Sequence, residues 1–130
     1  MALSLLIFHI IHFGNCWPLP SNHYISSNFG LRTSPTAGAS SFHKGIDIPA
    51  PENTYFLAIM DLKVTYTGFS GSGGYTIMCK NSDLTILYCH VSPNFLVNIG
   101  DELVAGQILG QVGPKNVYDV IRKSFSRFEW

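Results

Sequence analysis

Charge is scarce in this chain. Only 12% of the 130 residues are Asp, Glu, Lys or Arg, and the 8 basic residues cancel the 8 acidic ones. Without a basic excess there is no electrostatic footprint for a phosphate backbone or an anionic bilayer, which argues against binding to nucleic acid or a membrane surface. Cysteine is scarce too. Cys16, Cys79 and Cys89 are odd in number and follow no C-x-x-C spacing, so neither a zinc ribbon nor a disulfide scaffold is expected. No apolar run reaches the roughly 18 residues that a spanning helix requires, and no membrane-spanning domain is expected.

What is present is apolar. Hydrophobic residues make up 46% of the chain, too many, with too little charge, for disorder. The length suits one small domain. Residues 3–13 (LSLLIFHIIHF) have the length of a signal h-region, although no Lys or Arg precedes them and no A-x-A site follows. Residues 1–16 therefore read as a possible export signal or anchor, with a misplaced start or a buried first strand as the alternatives. His9 and His12 in that run are read as having no function.

From Trp17 onward the texture changes. A rigid Trp17-Pro18-Leu19-Pro20 entry precedes an alternating stretch at 25–32, and residues 33–41 (TSPTAGASS) form a loop by composition. Short β-rich runs follow at 46–48, 55–59, 63–69, 75–80, 84–90, 103–104 and 107–112, separated by turn signals. Strands at such spacing predict an all-β fold, a small antiparallel sheet or sandwich, with little helix because no 3.6-residue period is sustained. A hairpin is expected around residues 81–83. It sets Cys79 opposite roughly position 85, about 13 Å along the strand from Cys89, beyond the ~7 Å Cα limit of a disulfide.

Two segments could carry chemistry. In Phe42-His43-Lys44-Gly45-Ile46-Asp47 the H-x-x-x-D spacing puts a histidine and an aspartate on one face of an extended segment. Imidazole nitrogen and carboxylate oxygen are suitable zinc ligands at ~2.0–2.2 Å. Such a pair is also common as plain surface residues. His90 closes the apolar run Thr85-Ile86-Leu87-Tyr88-Cys89, where it could act as a general base or orient a water. A half-buried histidine bonded to backbone is the alternative.

With their surroundings these segments resemble the lysostaphin-type zinc endopeptidases of bacterial cell walls. The resemblance runs from Trp17-Pro18 through Phe29-Gly30-Leu31-Arg32, His43 to Ile48, Ser70-Gly71-Ser72-Gly73-Gly74-Tyr75, Tyr88-Cys89-His90-Val91-Ser92, and Gly100-Asp101-Glu102-Leu103-Val104-Ala105-Gly106-Gln107 to Gly110. It implies a domain over 17–120 with the duplicated hybrid β-motif, exported or associated with the cell envelope, and acting on peptide cross-links of peptidoglycan. His43 and Asp47 become metal ligands for Zn2+, and His90 a catalytic histidine that is not a ligand. Zinc would polarise the peptide carbonyl and activate water. Residues 68–75 would form a loop walling the groove or a plain hairpin connection.

The C-terminus departs from that pattern. Members of the family continue into an H-x-H strand that supplies the third ligand and a second catalytic histidine, whereas Gly113-Pro114-Lys115-Asn116-Val117-Tyr118 stands here and no histidine follows His90. Either Lys115 and Val117 replace the lost histidines or the chain stops before the motif, with residues 121–130 an atypical tail. The expectation is an incomplete domain, weak zinc binding, little or no activity, and a sheet left unpaired near its centre. His23, Cys89 and Glu102 are potential replacement ligands that spacing does not support. The alternative function is a non-catalytic cell-wall binding or regulatory module. A biotinyl or lipoyl carrier is a third reading, for which Met78-Cys79-Lys80 is a poor attachment turn. Finally, Asp61-Leu62 stands where the family has Asp-Gly, which requires either another turn type or strain of roughly 1–2 kcal/mol.

Overall fold

The computed structural model describes residues 2–7, 16–20, 23–31, 42–43 and 45–114. Ten strands are present among them: β1 Ala2–Ile7, β2 Gly30–Leu31, β3 Phe42–His43, β4 Gly45–Pro49, β5 Tyr55–Leu57, β6 Leu62–Phe69, β7 Tyr75–Lys80, β8 Thr85–Cys89, β9 Glu102–Leu103 and β10 Ile108–Gln111. One 3-10 turn, Gly71–Gly73, is the only helical element among the described residues. The all-β expectation holds, and every strand pairing is antiparallel.

The main sheet has the order β4-β1-β8-β7-β6-β9, and the pairs β10-β5 and β2-β3 are separate. The expected hairpin joins β7 to β8. Asn81 accepts the amides of Asp83 and Leu84 on its Oδ1 at 2.8 and 2.9 Å, closing the turn from its own side chain. Cys79 stands opposite Ile86, and Cys16, Cys79 and Cys89 form no disulfide. Leu62 opens β6 with its side chain buried, and its φ is not positive. Asp61 accepts the Ala105 amide at 2.9 Å. The turn there is thus of another type and unstrained.

The core lies between the main sheet and the β10-β5 pair. Phe56 of β5 stacks on Tyr88 of β8 with ring centroids 5.3 Å apart, and Leu109, Ile77, Ile86, Ile48 and Leu3 are fully buried around them. The Tyr88 hydroxyl accepts the Ile59 amide at 3.1 Å, so the buried phenol oxygen is satisfied. At Gly110 a methyl group would meet the Phe56 ring at 3.3 Å, which explains glycine where β10 crosses the sheet.

Two expectations change. Of the stretch 25–32, the described residues 25–31 are less regular than a strand: Ser27 makes an isolated bridge to Asp47, and Gly30–Leu31 pairs with β3. The sheet's centre is also not left open. β1 lies between β4 and β8, running from Ala2↔Pro49 to Leu6↔Gly45 on one side and from Ser4↔Cys89 to Ile7↔Ile86 on the other. The apolar N-terminal run can do this because alternate residues are free to enter the core, as Leu3 does opposite Ile48. Residues 8–15 and 115–130, including His9, His12, Lys115, Val117 and the tail, lie outside the described residues.

Candidate functional site

Of the candidate residues, Asp47 lies on the sheet face opposite the core. Leu3 and Ile48 are a buried register pair on the core side, so Asp47, next to Ile48 along β4, belongs to the other face. Position 4 stands opposite both Asp47 and Cys89. Asp47, position 4 and Cys89 therefore form one row across three adjacent strands. Cys89 and Leu87 are buried on this face in a small apolar cluster with Met78, separate from the main core.

Asp47 is half-buried. Its backbone is held on the outer side by the 26–27 segment, where Ser26 donates its amide to the Asp47 carbonyl and Asp47 donates to that of Ser27, both at 2.9 Å. His43 is the last residue of β3, in register with Gly30. Residue 44, between β3 and β4, lies outside the described residues.

His90 follows Cys89 at the end of β8 and has φ 58°, in the left-handed region that histidine enters more readily than most side chains. The conformation is fixed from both sides. His90 donates its amide to the Gly73 carbonyl at 2.8 Å, and its own carbonyl accepts the Gly113 amide at 2.9 Å. Val91 donates to the Tyr75 carbonyl at 3.0 Å and forms an isolated bridge with Val112. Residues 68–75 thus do more than connect strands. Their 3-10 turn anchors the histidine backbone through Gly73, and Tyr75, two residues on, stands edge-on to Phe69 at 5.2 Å. The part played by Gly113 could have been noticed only as a glycine before a proline.

A structural zinc or catalytic zinc site needs three or four protein donors at ~2.0–2.3 Å. Among the described residues no three His, Cys, Asp or Glu side chains group together to hold a metal. Glu102 is too distant, since β9 is five strand spacings of ~4.8 Å from β4, about 24 Å. His23 is exposed, with its ring 5.5 Å from that of Trp17. Cys89 stands two strand spacings from Asp47, about 10 Å. The described residues thus do not by themselves fit a three-ligand zinc centre.

This arrangement has counterparts. The chain belongs to peptidase family M23, whose family model matches residues 41–121. It is 35% identical over 107 residues to the uncharacterized lipoprotein YgeR of Escherichia coli (strain K12), covering 81% of this chain and 39% of that protein. In structure it resembles Csd3 of Helicobacter pylori in two crystal forms. The orthorhombic form gives a TM-score of 0.65 at 27% identity over 78% of this chain, and the hexagonal form 0.62 at 26% identity. The chain spans about two fifths of the length of YgeR and 28% of the orthorhombic Csd3 chain. No helix among the described residues is long and apolar enough to cross a membrane.

Proposed function

We propose that this chain is a peptidoglycan-directed domain of the zinc endopeptidase type, acting at the cell envelope, with weak or no hydrolytic activity over these 130 residues. Its substrate class is the peptide cross-link or stem peptide of the wall. Membership of peptidase family M23 supports the class of chemistry, and similarity to a protein named as a lipoprotein supports the envelope. The observation that carries the reading is the register that sets Asp47 of β4 and Cys89 of β8 in one row across β1, with His90, held by Gly73 and Gly113, directly after Cys89. His43 and Asp47 are the proposed metal residues, with Zn2+ as the metal, and His90 is the proposed catalytic residue.

A second reading is a non-catalytic module that holds the same wall peptides without cutting them. The serine at position 4, between Asp47 and Cys89, favours it. One experiment separates the two. The chain is incubated with purified peptidoglycan, with and without a chelator, and both released peptides and co-sedimented protein are measured. Chelator-sensitive release supports the peptidase. Co-sedimentation without release supports the module, and neither effect refutes both.

A further inference from the structure

We propose that Thr76 is a positioning residue for His90: its hydroxyl holds the Gly74 carbonyl and, through the Gly73-Gly74 backbone, fixes the carbonyl that receives the His90 amide. The inference rests on the functional reading above only for what the His90 imidazole does; the positioning itself stands on the fold. Apart from tyrosines and cysteines, Thr76 is the one polar side chain buried among the described residues, at 0% exposure. A buried hydroxyl is costly unless it is bonded. This one donates to the Gly74 carbonyl at 3.1 Å. The same oxygen accepts the Ser70 amide at 2.8 Å, so both of its lone pairs are used. Along β7, Ile77 faces the core opposite Tyr88, which puts Thr76 on the same sheet face as Asp47.

The turn before β7 has little to hold its own shape. It is three residues of 3-10 geometry, Gly71–Gly73, closed by the Gly73 amide on the Ser70 carbonyl at 2.9 Å and the Gly74 amide on the Gly71 carbonyl at 3.1 Å. Hydrogen bonds in such turns are poorly aligned, and two successive glycines leave the backbone free to rotate, with Gly74 at φ 67°. Three successive carbonyls are nevertheless aimed. Gly73 receives the His90 amide at 2.8 Å and Tyr75 the Val91 amide at 3.0 Å, and between them Gly74 receives the Thr76 hydroxyl. The middle carbonyl alone is held by a side chain. Without the hydroxyl the Gly73-Gly74 pair can turn, and the His90 amide loses its partner. His90 is the residue that this affects most, because at φ 58° it keeps a conformation that a side chain adopts only where its surroundings impose it.

The test uses the full 130-residue chain and reads His90 directly, by its imidazole NMR resonances, assigned through their loss in His90→Asn, and by hydrogen exchange of its amide. Thr76→Val keeps the shape and removes the hydroxyl, whereas Thr76→Ser keeps the hydroxyl. Thr76→Val is expected to shift the His90 resonances and to speed exchange of the His90 amide about tenfold, the factor that one hydrogen bond is worth. Thr76→Ser is expected to keep both near the parent values. Gly110→Ala, whose methyl would meet Phe56 and Ile77 instead, should leave the resonances in place.

Should Thr76→Val not fold, Thr76→Ala removes the same hydroxyl and is read by the same criteria. The parent adds a measurement that needs no variant, since its His90 amide should exchange far more slowly than in an unfolded chain. The proposal is overturned if a folded variant without the hydroxyl leaves His90 unchanged, if Thr76→Ser disturbs it as much as Thr76→Val, if Gly110→Ala does the same, or if the parent's His90 amide exchanges at the unfolded rate. Failure to bind or cut peptidoglycan would refute the functional reading and leave these results unaffected.

Discussion

The Gly113 amide donates to the carbonyl oxygen of His90 at 2.9 Å, and a Cβ on Gly113 would lie 2.6 Å from both the carbonyl carbon and oxygen of Val91. The contact is with backbone, which cannot rotate away. Gly113 thus sets how closely the segment after β10 approaches the turn that holds His90.

Gly113→Ala is expected to destabilise the fold by about 1–3 kcal/mol, the usual cost of overpacking. It is also expected to shift the His90 imidazole resonances. Gly110→Ala, whose methyl would meet the edge of the Phe56 ring at 3.3 Å and Ile77 at 3.6 Å, should destabilise the fold while leaving those resonances in place. NMR titration of both variants checks this, and equal shifts in the two would mean that Gly113 has no special hold on His90.

The burial of Leu3 predicts that the first strand supports the whole sheet. Leu3→Ala should cost about 2–5 kcal/mol, as other large-to-small core changes do. A chain starting at Trp17 should lose cooperative unfolding, because β4 and β8 would then face each other across an empty strand position. Urea denaturation followed by far-UV circular dichroism measures both. A cooperative transition of unchanged midpoint in the shortened chain would remove β1 from the structural account.

Alkaline pH should weaken the protein. Burial pushes the Cys79 thiol from 9.0 up to about 12, and burial also raises the Tyr88 phenol. A raised acid stays protonated in the folded chain while its unfolded counterpart loses its proton. Stability is therefore complete below pH 9 and is lost as pH rises toward 12, at about 1.4 kcal/mol per pH unit for each group that titrates. Cys79→Ala should flatten the first part of that decline in denaturation midpoints taken between pH 8 and 11. An unchanged slope would assign the loss to other groups.

Alanine at both His43 and Asp47 is expected to remove whatever zinc the parent chain binds, leaving the melting temperature in chelator nearly unchanged. Equilibrium dialysis and thermal melting with and without chelator check this. Residual zinc equal to that of the parent would place the metal elsewhere.

Much of this was legible along the chain. Turn residues such as Asn81 and the alternating apolar runs marked the strands, because a turn is closed by its own side chains and a strand's period is local. The run 75–80 coincides with β7, and 84–90 overshoots β8 by one residue at each end. Asp47 and His90 stood out by spacing and by position at the end of an apolar strand. Residues 25–31 were harder, since the bridge from Ser27 to Asp47 and the pairing of Gly30–Leu31 with β3 decide how that segment runs.

The first strand was legible only as one of three readings of the apolar run. An apolar run such as LSLLIF satisfies an export signal and a core strand equally well, because hydrophobicity alone does not specify the partner that removes it from water. Tertiary pairing sets residues 2–7 between β4 and β8, and with it came the register that puts position 4 opposite Asp47. The sequence by itself determined the all-β character, the hairpin at Asn81 and the identity of the chemical groups, all of which depend on neighbours a few residues away. The tertiary structure decided which of those groups share a face and which glycine clamps His90, since those contacts join residues brought together by the sheet and not by the chain.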